Sequence, residues 1–259
     1  MKRRAPNRLR GLRILHEDAE VIVVEKPAGL LAQATRRGDD PSVESVLTDY
    51  VRKGQWKSSR HVYLVHRLDR ETSGVMMVAK DEATQEWFRS HWNEVTTKVY
   101  LAKVEGSFET ESGAFESYLR EDENYFVKSV KNEKYGKFAR TEWRTVKSFG
   151  DGFTLVEATL KSGRKNQIRV HFSEAGHPLA GDSKYGRAPR NSMLCLHAWK
   201  LSFVHPKTKE TLSFEAPPPG WTGLAAREPD DEAGGFGHRV HADLAKRRAR
   251  RAAETQRPL

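Results

Sequence analysis

Two short apolar runs, Val62-Tyr63-Leu64-Val65 and Val75-Met76-Met77-Val78, bracket the nine residues from His66 to Gly74, HRLDRETSG. Both runs are of strand length and rich in β-branched side chains, which predicts two buried strands. The insert carries Arg67, Asp69, Arg70 and a Thr-Ser-Gly turn, a set of polar groups that core packing does not explain. A loop held between buried strands places polar groups on a rigid scaffold, where catalytic side chains are commonly found. The plainer reading is a solvated turn in which Asp69 pairs with Arg67 or Arg70.

A chain of 259 residues allows one or two domains. We expect one main domain over residues 13–219, with a basic arm at 1–12 and a basic extension at 220–259. Charged residues make up 31% and the mean hydropathy is −0.73, which suggests charged tails around an ordinary core. The formal net charge of +10 favours a polyanionic partner, because Lys and Arg displace the counterions condensed on nucleic acid. A membrane surface is the competing partner, but no basic amphipathic helix with a wide apolar face stands out. Cys195 is the single cysteine, so neither an intrachain disulfide nor a cysteine-based zinc site can form, which fits a reducing cytosol. With no apolar signal core and no run long enough to span a bilayer, a soluble, cytoplasmic chain is expected. We expect a monomer.

Along the chain, Ile14-Leu15 and Val21 to Val24 read as strands around a turn, and Lys26-Pro27-Ala28-Gly29 as a reversal set by Pro27 and Gly29. Val43, Val46, Leu47, Tyr50 and Val51 share one helical face behind Ser42. A second helix is predicted from Asp81, with Ala83, Trp87, Phe88 and Val95 inward. Val99 to Gly106 and Phe153 to Leu160 read as strands, with hairpins over 107–148. There, Lys128, Lys131, Lys134 and Lys137 interleave with Tyr125, Phe126 and Tyr135, as an RNA-facing ribbon or an amphipathic edge strand would. A helix starting near Asn166 would bring Gln167, Val170 and His171 together and send Arg169 another way. Gly176 to Gly186 reads as a structural loop, and Leu194 to Phe214 as a closing hairpin. Arg164 and Arg169 both have a bland alternative as surface phosphate clamps; Arg169, between Ile168 and Val170, is the better candidate for a partly buried, carboxylate-paired position. His61 and His66 lack a third ligand at metal spacing, so a metal site is not expected.

Four segments, following one another along the chain in the family's order, resemble the pseudouridine synthases of the large-subunit type A (RluA-like) family. HRLDRETSG matches its HRLD-x-x-TSG segment, and Lys26 to Gly29 match its KPAG turn. Lys98, Tyr100 and Ala102 match its K-x-Y-x-A pattern, and GRKNQIRVH from Gly163 to His171 matches GR-x-HQIR-x-H, with Asn166 where the family usually carries histidine. The resemblance covers residues 14–217. It implies a mixed α+β fold, a long and mostly antiparallel bent sheet with flanking helices and a cleft across its middle. Many relatives carry a small N-terminal S4-type domain, for which a first strand near Ile14 leaves no room.

The implied activity is isomerisation of uridine in ribosomal or transfer RNA: the N-glycosidic bond breaks, the uracil turns, and C5 bonds to C1′. No cofactor and no metal are implied. Asp69 would attack C1′ or take a proton from C2′, and Arg169 would keep it ionised where water is excluded. Tyr100 would lie against the uracil and relay the C5 proton. The target must flip out of its stack, with Arg67 bracing the gap and His66, Arg70, Arg164 and Lys165 also on the RNA. Two rivals remain: a non-catalytic RNA-binding or chaperone protein that retains the fold, and an N-glycosidase that hydrolyses the same bond.

Overall fold

The computed structural model describes residues 11–35, 40–55 and 57–224. The basic residues expected in the N-terminal arm up to Arg10, and the run Lys246 to Arg251, lie outside them. Among the described residues, eleven strands form one sheet in the order β1-β2-β4-β10-β5-β9-β8-β6-β7, with β3 on β4 and β11 on β10. Its strands are β1 (Arg13–Glu17), β2 (Val21–Lys26), β3 (Tyr63–Leu64), β4 (Ser73–Ala79), β5 (Thr96–Glu105), β6 (Ser112–Glu121), β7 (Val127–Val130), β8 (Lys137–Ser148), β9 (Phe153–Leu160), β10 (Leu196–Val204) and β11 (Thr211–Glu215). Pairings are antiparallel except β4 with β10. Among the described residues, no helix is long and apolar enough to cross a membrane.

The unbroken apolar runs of β2 and β4 follow from burial on both faces, because alternate side chains leave opposite sides of a strand. Ile22, Val24, Met76 and Val78 enter one core with Val43 and Leu47 of helix α1 (Val43–Arg52) and with Ile168 and Phe172 of helix α3 (Gln167–Glu174). Val21, Val23, Val75 and Met77 enter the other, with Phe88 and Val95 of helix α2 (Glu82–Val95). Ser42 and Asp81 cap α1 and α2 as expected, Ser42 in a reciprocal capping box with Ser45. In α2 the inward residue of the first turn is Thr84, bonded to Asp81, while Ala83 faces solvent. Past Pro219 the chain continues as a 3₁₀ turn, Gly220–Thr222, with Thr222 buried.

Two strands at the centre share their edges end to end. One edge of β4 is taken by β10 at Ser73 and Gly74 and by β3 at Val78 and Ala79. The outer edge of β10 passes from β4 to β11. The expected strand Val62–Val65 thus shrinks to two paired residues, since only the far end of β4 is free to receive it. At the junction Gly74 has φ +113°, and a β-carbon there would lie 2.1 Å from the Ala198 carbonyl oxygen. Only glycine permits that approach, which sets the loop before it against β10.

Candidate active site

The loop from His66 to Thr72 is pinned from several sides. Leu68 is buried in the core beside Ile168, the Thr72 amide donates to the Asp69 carbonyl (3.1 Å), and the Ser73 hydroxyl bonds His197 Nδ1 at 2.8 Å. The KPAG turn supplies the remaining support. Lys26 is fully buried, and its ammonium donates to the carbonyls of Pro27 (3.0 Å), Leu30 (2.7 Å) and Arg70 (3.1 Å). The Gly29 amide also donates to Arg70 (2.7 Å), and Arg70 Nε returns a bond to the Gly29 carbonyl (3.2 Å). Burial pulls the Lys26 ammonium down to about 8, against the opposing charges of Glu71 and Asp69. Three carbonyl acceptors nevertheless make it the tie between the turn and the loop that carries Asp69.

Asp69 stands at an open cleft of about 700 Å³ with Tyr100, Asn166, Ile168, Arg169 and Leu196 around it. Its side chain keeps 29% of its surface exposed. Oδ2 accepts a 2.6 Å bond from Asn166 Nδ2 and lies 3.7 Å from an Arg169 terminal nitrogen. Arg169 does reach Asp69, but its main partner is another carboxylate. Asp182 accepts from Arg169 Nε and from the second terminal nitrogen, both at 2.7 Å, and its side chain has no exposed surface. Burial pushes the Asp182 carboxyl up, but the guanidinium and the amides of Tyr185 and Lys184 outweigh it and hold the group below the usual carboxylate range.

The loop from Gly176 to Gly186, read as structural, supplies through Asp182 the counter-charge to Arg169. A buried guanidinium requires a dedicated carboxylate, and the placing of Arg169 between two apolar residues was the signal that one was owed. The same loop brings Tyr185, whose ring lies 5.2 Å from the Arg169 guanidinium, and Lys184, whose ammonium donates to the Tyr125 carbonyl (2.7 Å). Neither was foreseen. Asn166 itself precedes α3 in a left-handed conformation, φ 53°, which asparagine tolerates better than most residues. Gln167 fixes that turn by accepting from Ser162 (2.7 Å) and the Arg164 amide (3.0 Å) and donating to Thr141 (2.9 Å) and Arg140.

Tyr100, on β5, is buried against the cleft. Burial, then the charge of Asp69, pushes its phenol well above the ordinary tyrosine value, so it keeps its proton. His66 turns inward: its Nε2 accepts from the Met77 amide at 3.0 Å and its ring stacks 4.8 Å from Trp92. Burial, then Lys98, drives its pKa down to about 3, leaving a neutral ring with the proton on Nδ1. Arg67 is exposed at the cleft and donates to Gln33 (3.4 Å). Arg164 and Lys165 also line the cleft, Arg164 bonded to the Phe138 carbonyl (3.0 Å) and Lys165 paired with Glu121.

One cluster among the described residues has metal-ligand spacing: Asp18, Glu20 and His205. His205 Nδ1 accepts from the amides of Lys207 (3.3 Å) and Thr208 (3.1 Å), so the neutral ring carries its proton on Nε2, 3.3 Å from Asp18. A metal would need the lone pair of that nitrogen. None of the three residues lines the cleft.

This mixed sheet with its flanking helices is the fold of solved pseudouridylate synthase domains. Residues 20–174 match the sequence profile of the family described as RNA pseudouridylate synthase. The chain is 36% identical over 214 residues to the uncharacterized RNA pseudouridine synthase YlyB of Bacillus subtilis, covering 80% of this chain and 69% of that one. It is 33% identical over 195 residues to the ribosomal large subunit pseudouridine synthase D of Borreliella burgdorferi, covering 73% and 60%. Human RNA pseudouridylate synthase domain containing 1 shares the fold, with a TM-score of 0.66 at 21% identity over 93% of this chain and 98% of that one. The chain belongs to the RNA pseudouridylate synthase family, a family of isomerases. Its similarity to these bacterial relatives spans only about two thirds of their length.

Proposed function

We propose that this protein isomerises uridine to pseudouridine in a structured RNA, with Asp69 as its catalytic group. One juxtaposition carries the reading: an aspartate with 29% of its surface exposed meets a buried tyrosine and a buried arginine in a cleft of about 700 Å³. A pure RNA binder has no use for that arrangement. Asp69 Oδ2 is engaged by Asn166 and Arg169, which leaves Oδ1 for the substrate. An oriented carboxylate beside the ribose either attacks C1′ or takes the C2′ proton. The N1–C1′ bond breaks, the uracil turns, C5 bonds to C1′, C5 gives up its proton and N1 gains one. The product is an isomer of the substrate. Tyr100 packs on the uracil, and its neutral phenol takes the C5 proton as it hands its own to solvent, from which N1 is protonated.

A stacked uridine cannot present C1′ to Asp69, so the nucleotide flips into the cleft at a cost of a few kcal/mol. Arg67, at the rim, is placed to brace the gap, and Arg70, Arg164 and Lys165 to hold the phosphates, a salt-dependent contribution that reads no sequence. The names of the bacterial relatives favour ribosomal over transfer RNA as the target. Digestion of treated RNA to nucleosides tests the reading: pseudouridine at unchanged chain mass is expected, whereas free uracil would mean hydrolysis.

A further inference from the structure

The polar groups around Asp69 form a chain with a fixed direction. Tyr185 Oη accepts from the Val127 amide at 3.0 Å, so its own hydrogen is available to donate, and the acceptor in reach is Asn166 Oδ1 at 3.2 Å. Lys184 donates to the same oxygen at 3.4 Å. Two donors on Oδ1 settle which end of the amide is which, and the Nδ2 hydrogens must point the other way, to Asp69 Oδ2 at 2.6 Å. Resting on the isomerase reading above, we infer that Asn166 and Tyr185 are positioning residues: a one-way donor chain from the start of β7 through Tyr185 and Asn166 that sets the rotamer of Asp69 and presents its other oxygen to the ribose.

This division of labour follows from the arginine. Arg169 spends its two shortest bonds on Asp182 and reaches Asp69 only at 3.7 Å, too far to fix a carboxylate's rotation. The short, directional contact is the one from Asn166. Asparagine is an acid-independent donor, so the site carries no histidine titration at this position, where the family pattern usually has one. The ionisable groups that feel Asp69 are Arg169 from α3, Tyr100 from β5, Lys26 from β2, and Lys184 and Tyr185 from the loop before β10, and Glu71 on its own loop shares Lys26 and Arg169 with it.

Asn166→Asp is the discriminating variant, because aspartate also tolerates the left-handed backbone and replaces the amide donor with a carboxyl that donates only while it is protonated. Two carboxyl groups at this distance share one proton and titrate as a pair. With the proton present the chain is intact; with it gone, two like charges face each other. We expect kcat on RNA to fall by on the order of tenfold to a hundredfold as pH rises through the upper apparent pKa of the pair, with KM little changed and no such fall in the wild type. Carboxyl carbon NMR locates that pKa in the free protein, without substrate. Tyr185→Phe removes the hydroxyl that orients the amide and should lower kcat by about threefold to tenfold at constant KM. Independent titration of the two carboxyls in Asn166→Asp, or wild-type kcat in Tyr185→Phe, would overturn the inference. If the wild type itself modifies no RNA, the isomerase reading fails, and the NMR titration still decides whether the donor chain ends on Asp69.

Discussion

Arg169 sits between two carboxylates that differ in almost every respect. Asp182 has no exposed side-chain surface and meets the guanidinium in two parallel 2.7 Å bonds, whereas Asp69 is 29% exposed and 3.7 Å away. The first geometry is the fork-to-fork match that locks an arginine in place. The second puts a positive charge near a carboxylate without saturating it, and leaves an oxygen to spare for chemistry. A single guanidinium thus stabilises the fold through one aspartate and conditions the cleft through the other.

The largest effect should come from breaking the buried half. Asp182→Ala leaves Arg169 uncompensated inside the protein and is expected to cost about 3–5 kcal/mol in urea denaturation, whereas Asp69→Ala, on the exposed half, should cost under about 1 kcal/mol. The same contrast has a pH signature. Because the folded Asp182 carboxyl lies below its unfolded value, the stability it contributes is present above about pH 4 and is lost as pH falls through the folded pKa. Acid denaturation of Asp182→Ala should show a shallower loss in that range than the wild type.

A smaller effect is expected where the loop meets the KPAG turn. Lys26→Met removes the ammonium donor from the carbonyls of Pro27, Leu30 and Arg70, of which only that of Arg70 keeps another donor among the described residues, the Gly29 amide, and should cost about 2 kcal/mol, with a fall in turnover as the Asp69 loop loosens. For the wild type, the folded Lys26 value near 8 lies below that of an unfolded lysine, so the unfolded chain holds the proton more tightly. Stability should therefore rise as pH goes from about 8 towards 10, and Lys26→Met should lack that rise. Smallest of all is the rim. Arg67→Ala should slow turnover on folded RNA by a few-fold while leaving an unstructured oligonucleotide nearly unaffected; equal losses on both would remove Arg67 from base flipping.

Much of this was legible in the sequence where periodicity or local capping chemistry dominates. The apolar runs of β2 and β4, the face of α1 and the caps at Ser42 and Asp81 follow from patterns a few residues long. Asp69, Tyr100 and Arg169 were singled out by the motifs that carry them, and the structure brings the three to one cleft. What stayed hidden depends on contacts made across the chain. Lys26 reads only as part of a turn until Arg70 arrives 44 residues later to take its bond. Asp182 lies in a glycine-bounded loop with no period of its own, and its role exists only because α3 presents Arg169 to it. The short β3 is likewise a tertiary outcome, since β10 occupies the stretch of β4 that a longer strand would have needed.

The most direct test of the central claim is tritium release from RNA labelled at uridine C5, with wild type and Asp69→Asn assayed side by side. Release by the wild type and none above background by Asp69→Asn, with folding unchanged, is the predicted result. Equal release by the two proteins would contradict the assignment of Asp69, and no release from any cellular RNA despite retained binding would contradict the isomerase itself.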